Sequence, residues 1–257
     1  MNHSEFRKRA YATYFENYFS YFDWNTAEES LFERAALGYG HNYGRFLQDL
    51  PRGARVLDVG CGIGQCLYWL HKQGFDAEGI DLSEKQLDQA RTVLPEDVTL
   101  KAADTFSYLD SARAEYHAII ANDFVEHLTR AEALEFADSA LESLRPGGVL
   151  LLRTPNATCP SAGLFYDDLT HERPYTDLSL RQLLLTAGYD SVEVSSWEGY
   201  PLRSPASVVS WVVRRVTWNL YKLRLFLHDF CPGPREVGKN LVAAAHKPES
   251  HVSADQP

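Results

Sequence analysis

Val56-Leu57-Asp58-Val59-Gly60-Cys61-Gly62-Ile63-Gly64 decides the fold. A short apolar and β-branched run contains an acid near its end, and three glycines then fall on alternate positions. A helical pattern follows at once, from Gln65 to Lys72. The stretch reads as a strand, a sharp turn and a helix, the turn kept bare so that a ligand can lie against its backbone. Asp58 narrows the ligand. A pyrophosphate held at a helix N-terminus would be repelled by an acid at the end of the preceding strand. A cation such as an amino acid ammonium would be welcomed there.

Working outward, Arg55–Val59, 77–80, 98–102, 117–121 and 149–153 read as strands separated by helical patterns, which predicts a parallel sheet with helices on both faces. Ser83 with Gln86, Thr129 with Glu132 and Ser179 with Gln182 have capping-box spacing at helix starts. Arg145-Pro146-Gly147-Gly148 closes a crossover helix and turns the chain into the fifth strand. A sixth strand is predicted over 191–197, a break at Gly199-Tyr200-Pro201, and a last strand over Asn240–His246.

Two additions flank this core. Residues 1–50 read as a helical cap rich in aromatics (Tyr11, Tyr14, Phe15, Tyr18, Phe19, Tyr21, Phe22, Trp24). Residues 199–235 read as a helical insertion whose helix, 207–230, carries one apolar face: Val209, Val212, Val213, Val216, Leu220, Leu223 and Leu227. Arg214, Arg215, Lys222 and Arg224 lie off that face, with Trp211, Trp218 and Tyr221 beside them. This helix either packs on the domain or a second subunit, or lies on a membrane surface. The main domain is then 51–198 with 236–247, and the polar tail 248–257 reads as disordered.

A net charge of −10 argues against nucleic acid as the main partner, because phosphate contacts need a basic face. No run reaches the roughly 18–20 apolar residues that cross a bilayer, and residues 1–5 lack a signal-peptide core. Cys61, Cys66, Cys159 and Cys231 show no CxxC spacing, which fits a reduced, cytoplasmic state.

The chemistry gathers where strands end. Asp81, after the second strand, is placed to take both ribose hydroxyls of a nucleoside. Asp104 follows the third strand, beside an adenine, and Asn122-Asp123 follows the fourth. One such acid is an ordinary exposed loop residue. Four, each after its own strand, describe a pocket for adenosine at one end and a cation at the other, with no phosphate between. S-adenosylmethionine has that composition.

On Val56 to Gly64, Gly79 to Ser83, Ala103-Asp104, Asn122 to Leu128 and Leu144 to Asn156, the chain resembles the class I S-adenosylmethionine-dependent methyltransferases over roughly residues 35–247. The resemblance implies a Rossmann-like, doubly wound seven-stranded α/β sheet whose last two strands form an antiparallel pair. It assigns cofactor roles to Asp58, Gly60, Gly62, Gly64, Asp81, Asp104 and Asn122, with Cys61, Leu82 and Thr105 beside them. Phe124-Val125-Glu126-His127-Leu128 resembles the ubiquinone-type O-methyltransferase branch. Thr154-Pro155-Asn156-Ala157, Asp167-Asp168-Leu169-Thr170-His171-Glu172 and Tyr175-Thr176 are similar to methyltransferases encoded with bacterial surface-polysaccharide genes. His117 departs from the family's usual acid, a matter of strand packing.

A hydroxyl acceptor needs a base or a metal to take its proton. Asp123, Glu126 and His127, spaced i, i+3, i+4, would share one face of a helical turn. They form a candidate base or magnesium cluster, and the quinone branch implies a divalent metal there; the plainer alternative is a capping acid beside a packed histidine. His171 is the second candidate base, unless it only fixes its loop through Asp167 or Asp168. The expected activity is methylation of a sugar hydroxyl on a bacterial surface polysaccharide or glycolipid intermediate, in the cytoplasm or at the inner membrane, with homo-oligomers allowed. Two alternatives stand: a quinone or phenol O-methyltransferase, and a non-catalytic S-adenosylmethionine-binding regulatory subunit.

Overall fold

Arg55–Val59 (β1) lies inside the sheet, parallel to Asp76–Asp81 (β2) on one side and Tyr116–Asn122 (β4) on the other. Thr99–Ala102 (β3) extends the sheet beyond β2, and Leu144–Pro155 (β5) extends it beyond β4. Asn240–His246 (β7) runs antiparallel to β5, and Ser191–Ser196 (β6) pairs with β7 at the edge. The order is β3-β2-β1-β4-β5-β7-β6, with β7 alone reversed, as expected. This computed structural model describes residues 9–10, 29–198, 205–229 and 234–249. The predicted aromatic run from Tyr11 to Trp24 and the tail beyond 249 lie outside the described residues.

Alternation along the strands builds two cores. Leu57, Val59, Ile119, Ala121, Leu150 and Leu152 face one way and pack under Thr105–Ser111 (α4), Arg130–Ser143 (α5) and Asp177–Thr186 (α6). Val56, Ala118, Ile120, Val149 and Leu151 face the other way, under Glu29–Leu47 (α1), Gln65–Lys72 (α2) and Glu84–Arg91 (α3). Strands covered on both faces explain the nearly continuous apolar runs. Within the predicted 1–50 cap, α1 is a covering layer of the sheet itself, with Phe32, Tyr39, Tyr43 and Leu47 buried.

Local signals were realised unequally. Thr129 and Glu132 form a full capping box. Ser83 caps α3 through its side chain, but its own N–H donates to Asp81, so the box with Gln86 is half made. The sixth helix starts earlier than predicted, because Thr176 is the cap and Ser179 closes the box. Arg145 to Gly148 do not form a turn before the fifth strand. They lie within β5, because Gly147 N–H and Gly148 C=O bond Lys247 just past β7, while a register shift between Tyr116 and Ala118 absorbs the irregularity. His117 has the packing role expected, its Nδ1 accepting from the Arg55 N–H at 3.1 Å. Pro205–Asp229 (α7) is the predicted insertion helix, and no described helix is long and apolar enough to cross a membrane.

Candidate active site

The glycine loop sits at the carboxyl edge of β1. Gly62 and Gly64 have φ of 54° and 85°, the left-handed region that glycine enters without strain. A Cβ on Gly64 would come within 2.6 Å of Leu94 Cδ1, so α2 and α3 close only over a bare backbone. Asp81, at the end of β2, holds the loop: Gly62 N–H donates to its Oδ2 at 3.0 Å and Ser83 N–H to its Oδ1 at 2.8 Å. Burial raises the Asp81 carboxyl somewhat, against those hydrogen bonds. Asp81 therefore both shapes the loop and presents acceptor oxygens at the position predicted for ribose. Asp81→Ala is expected to weaken S-adenosylmethionine binding by one to two orders of magnitude, about the worth of one or two charge-assisted hydrogen bonds; calorimetry reads the change.

Asp58 is the most informative side chain of the site. It is 1% exposed, and neither carboxylate oxygen has a hydrogen-bond partner among the described residues. Burial, helped by the nearby Asp81, pushes its pKa up to about 8. An unmatched buried carboxylate calls for a cation. Beside it, Asn122 accepts from Tyr43 Oη at 2.7 Å while its buried Nδ2 is unmatched. These orphaned groups fit the amino acid end of S-adenosylmethionine. Leu82, 66% exposed, offers an apolar surface next to Asp81.

Other predicted residues have different surroundings. The Cys61 side chain lies in the core, where a Cβ on Gly79 would meet its Sγ at 2.9 Å, so only its backbone can face a ligand. Asp104 is exposed and caps α4, its Oδ1 accepting from Ser107 N–H and Oγ–H, both at 3.0 Å. Thr105 is buried in the first turn of that helix.

The predicted cluster of Asp123, Glu126 and His127 is not what the fold assembles. Val125–His127 is a single 3₁₀ turn, so the spacing of an α-helix does not apply. Asp123 has φ of 49° and pairs with Arg153, which donates from Nε at 3.1 Å and from a terminal nitrogen. The Arg153 guanidinium also lies 4.8 Å from the Trp197 ring centre. In Asp123's place the fold brings His171, and single donor atoms of Glu126, His127 and His171 lie within 4.8 Å of one another. Magnesium does not fit the predicted set. Both Asp123 oxygens are engaged, Glu126 is 0% exposed, and a magnesium ion keeps several waters and favours oxygen. One carboxylate with two imidazoles is a set that zinc or iron suits better.

Asp168, expected only to fix the loop of His171, and Thr170 orient this cluster. Thr170 Oγ–H donates to Asp168 Oδ1 at 2.6 Å. Its only hydrogen is thereby used, so at 2.9 Å from His127 Nδ1 its oxygen must accept from the imidazole N–H. The His127 tautomer follows, with the lone pair on Nε2. His171 is fixed likewise, its Nδ1–H donating to Phe165 C=O at 2.7 Å, and its Nε2 is 3.8 Å from Asp168 Oδ2. Burial would raise Asp168, but the Thr170 hydrogen bonds outweigh it and hold the carboxyl below its ordinary range. Burial, then His171, lowers the His127 pKa to about 4. Burial raises Glu126 well above the carboxylate range, although Thr154 Oγ–H donates to its Oε2 at 3.0 Å.

The sheet order, the glycine loop and the acids at successive strand ends match one group of proteins. The family profile described as "Methyltransferase domain" matches residues 31–194, well over half of the chain. The chain belongs to that family. Its domain is a class I S-adenosylmethionine-dependent methyltransferase domain. A solved S-adenosylmethionine-dependent methyltransferase from Archaeoglobus fulgidus has the same fold, with a TM-score of 0.65 at 22% identity, over 90% of this chain and all of that one. A 2-methyl-6-phytyl-1,4-hydroquinone methyltransferase from Synechocystis is 35% identical over 108 residues, 41% of this chain and 33% of that protein. A ubiquinone biosynthesis O-methyltransferase from Caulobacter is 29% identical over 115 residues, 44% of this chain and 45% of that protein. The methyltransferase chain thus spans less than half the length of these curated relatives.

Proposed function

We propose that this methyltransferase moves the methyl group of S-adenosylmethionine to a phenolic hydroxyl of the quinol kind, with His127 as general base. The observation that carries the reading is the chain Asp168–Thr170–His127, which fixes the His127 lone pair on Nε2. When bound, S-adenosylmethionine supplies an electrophilic methyl carbon on a sulfonium. Asp58 binds its ammonium, and Asp81 its ribose hydroxyls. His127 Nε2 would take the hydroxyl proton of the acceptor, whose oxygen would then receive the methyl group that bound S-adenosylmethionine would supply, the carbon–sulfur bonding pair remaining with the departing thioether. The Asp168 carboxylate, acting through Thr170, favours the imidazolium that results.

Two considerations favour a phenol over the sugar hydroxyl. A base with pKa about 4 is weak, and a phenol near 10 is far easier to deprotonate than an aliphatic hydroxyl, which is close to water at about 15.7. Both relatives named above carry quinone or hydroquinone chemistry in their names. The Asp167 to Glu172 segment, the basis of the sugar expectation, is spent on holding the two histidines, which either acceptor requires. A built base relay also supports an enzyme over a regulatory subunit.

The test offers S-adenosylmethionine labelled on its methyl group with a small hydroquinone and, separately, with free sugars and polysaccharide. Label is expected in the phenol. Label only in sugar overturns the acceptor assignment, and cofactor binding without turnover of either overturns the catalytic reading.

A further inference from the structure

α7 is turned the wrong way round for a helix that serves its own domain. At about 100° per residue, Val209, Val212, Val216, Leu220, Leu223 and Leu227 form one stripe. All six are between 45 and 67% exposed. The half-buried positions Trp218, Tyr221, Lys222 and Leu225 lie on the opposite side of the helix. Lys222 Nζ donates to Arg235 C=O on that side. The apolar stripe is therefore on the more exposed side of the helix, across from its half-buried positions.

We infer that α7 docks the protein, stripe first, onto an anionic bilayer surface. Charge selects this occupant. From Pro205 to Asp229 the helix carries Arg214, Arg215, Lys222 and Arg224 against one acid, Asp229 at its last position, within a chain of net charge −10. Arg215 flanks one border of the stripe and Arg224 the other, where lipid phosphates meet a helix lying in the interface. A second copy laying its own stripe on this one would bring like charges together. The described residues hold no helix long and apolar enough to cross a membrane, so α7 lies on the surface.

The position of the helix suits this role. β6 ends and β7 begins at one edge of the sheet, where Ser196 pairs with Leu241 and Pro155 with Asn240. That is the carboxyl edge of β5, so the strands on either side of α7 in sequence end and begin at the edge that carries Asp123 and the histidine cluster. It also lies outside the span 31–194 shared with the family. The inference does not depend on the acceptor, and its test reads vesicle binding without turnover.

The full chain is sedimented with vesicles of phosphatidylcholine alone and of phosphatidylcholine mixed with phosphatidylglycerol. Binding is expected with the anionic vesicles, weakening as salt rises. Each cation contributes about fivefold, so Arg215→Glu with Arg224→Glu should weaken binding by roughly 25-fold or more. Leu220→Asp, on the stripe, should also release the protein, and both variants should bind S-adenosylmethionine normally, which shows that they are folded. Equal binding to the two vesicle types, or none, overturns the inference. So does a dimer in free solution that Leu220→Asp splits while vesicle binding is absent or unchanged, because the stripe would then belong to a second copy.

Discussion

Asp58→Asn is expected to stabilise the ligand-free protein and to remove most of its affinity for S-adenosylmethionine, two effects of opposite sign from one atom change. In the folded chain Asp58 titrates at about 8, whereas an unfolded aspartate titrates near 4. Between those values the folded protein holds a proton that the unfolded chain has released, so its stability falls as pH rises through the window and levels off above 8. The cost of the charge is thus small at pH 5 and fully present at pH 9, where it is of the order of a few kcal/mol. Asparagine has no charge to desolvate, so the variant's gain in Tm should be larger at pH 9 than at pH 5. Binding moves the other way. An ammonium meets the carboxylate form, so cofactor binding to the native protein at pH 7 should release about one proton, visible as a buffer-dependent heat. Loss of one partner from a buried charge pair costs about 2–5 kcal/mol, which is a 30-fold or greater loss of affinity. A variant that binds as tightly as the native protein, or that melts lower at pH 9, would remove Asp58 from the cofactor site.

That residue was legible because its information is local. Asp58 and the three glycines lie within nine consecutive positions, and strand period and turn chemistry act over that range. Asp81 was legible for the same reason, since its strand-end position follows from the pattern. The pairing of Arg153 with Asp123 was not. It depends on Asn122 and Arg153 lying in register on adjacent strands, and it occupies the oxygens of one member of a predicted cluster. The substitution of His171 for Asp123 has the same origin: Thr170 and His171 reach His127 across a long loop, and no spacing rule describes that approach. The first turn of α6 shows a smaller failure, because Thr176 and Ser179 are both acceptable caps and the choice between them rests on packing. For α7 the sequence carried the stripe and the cations. Which way the stripe faces is a tertiary fact that periodicity does not hold.

His127→Gln is expected to lower kcat by two to four orders of magnitude and to leave cofactor affinity unchanged, the range that loss of a positioned general base produces. The affinity arm follows from placement, because His127 belongs to the cluster with Glu126 and His171 and not to the groups around Asp58. Its pH dependence separates it from an ordinary histidine. With a pKa of about 4 the base form dominates from about pH 5 upward, so the rate should show no inflection near 6.5 and should fall only as pH approaches 4. Thr170 supplies a control that a purely structural role would not pass. Thr170→Val removes the hydroxyl that links Asp168 to His127 and leaves only the Thr170 C=O, 3.3 Å from His127 Nδ1, so kcat should drop with little change in KM. Thr170→Ser restores the hydroxyl and should restore the rate. If valine and serine behave alike, the chain from Asp168 to His127 holds the loop and not the proton, and His171, with its Nδ1–H already committed to Phe165, becomes the base to test.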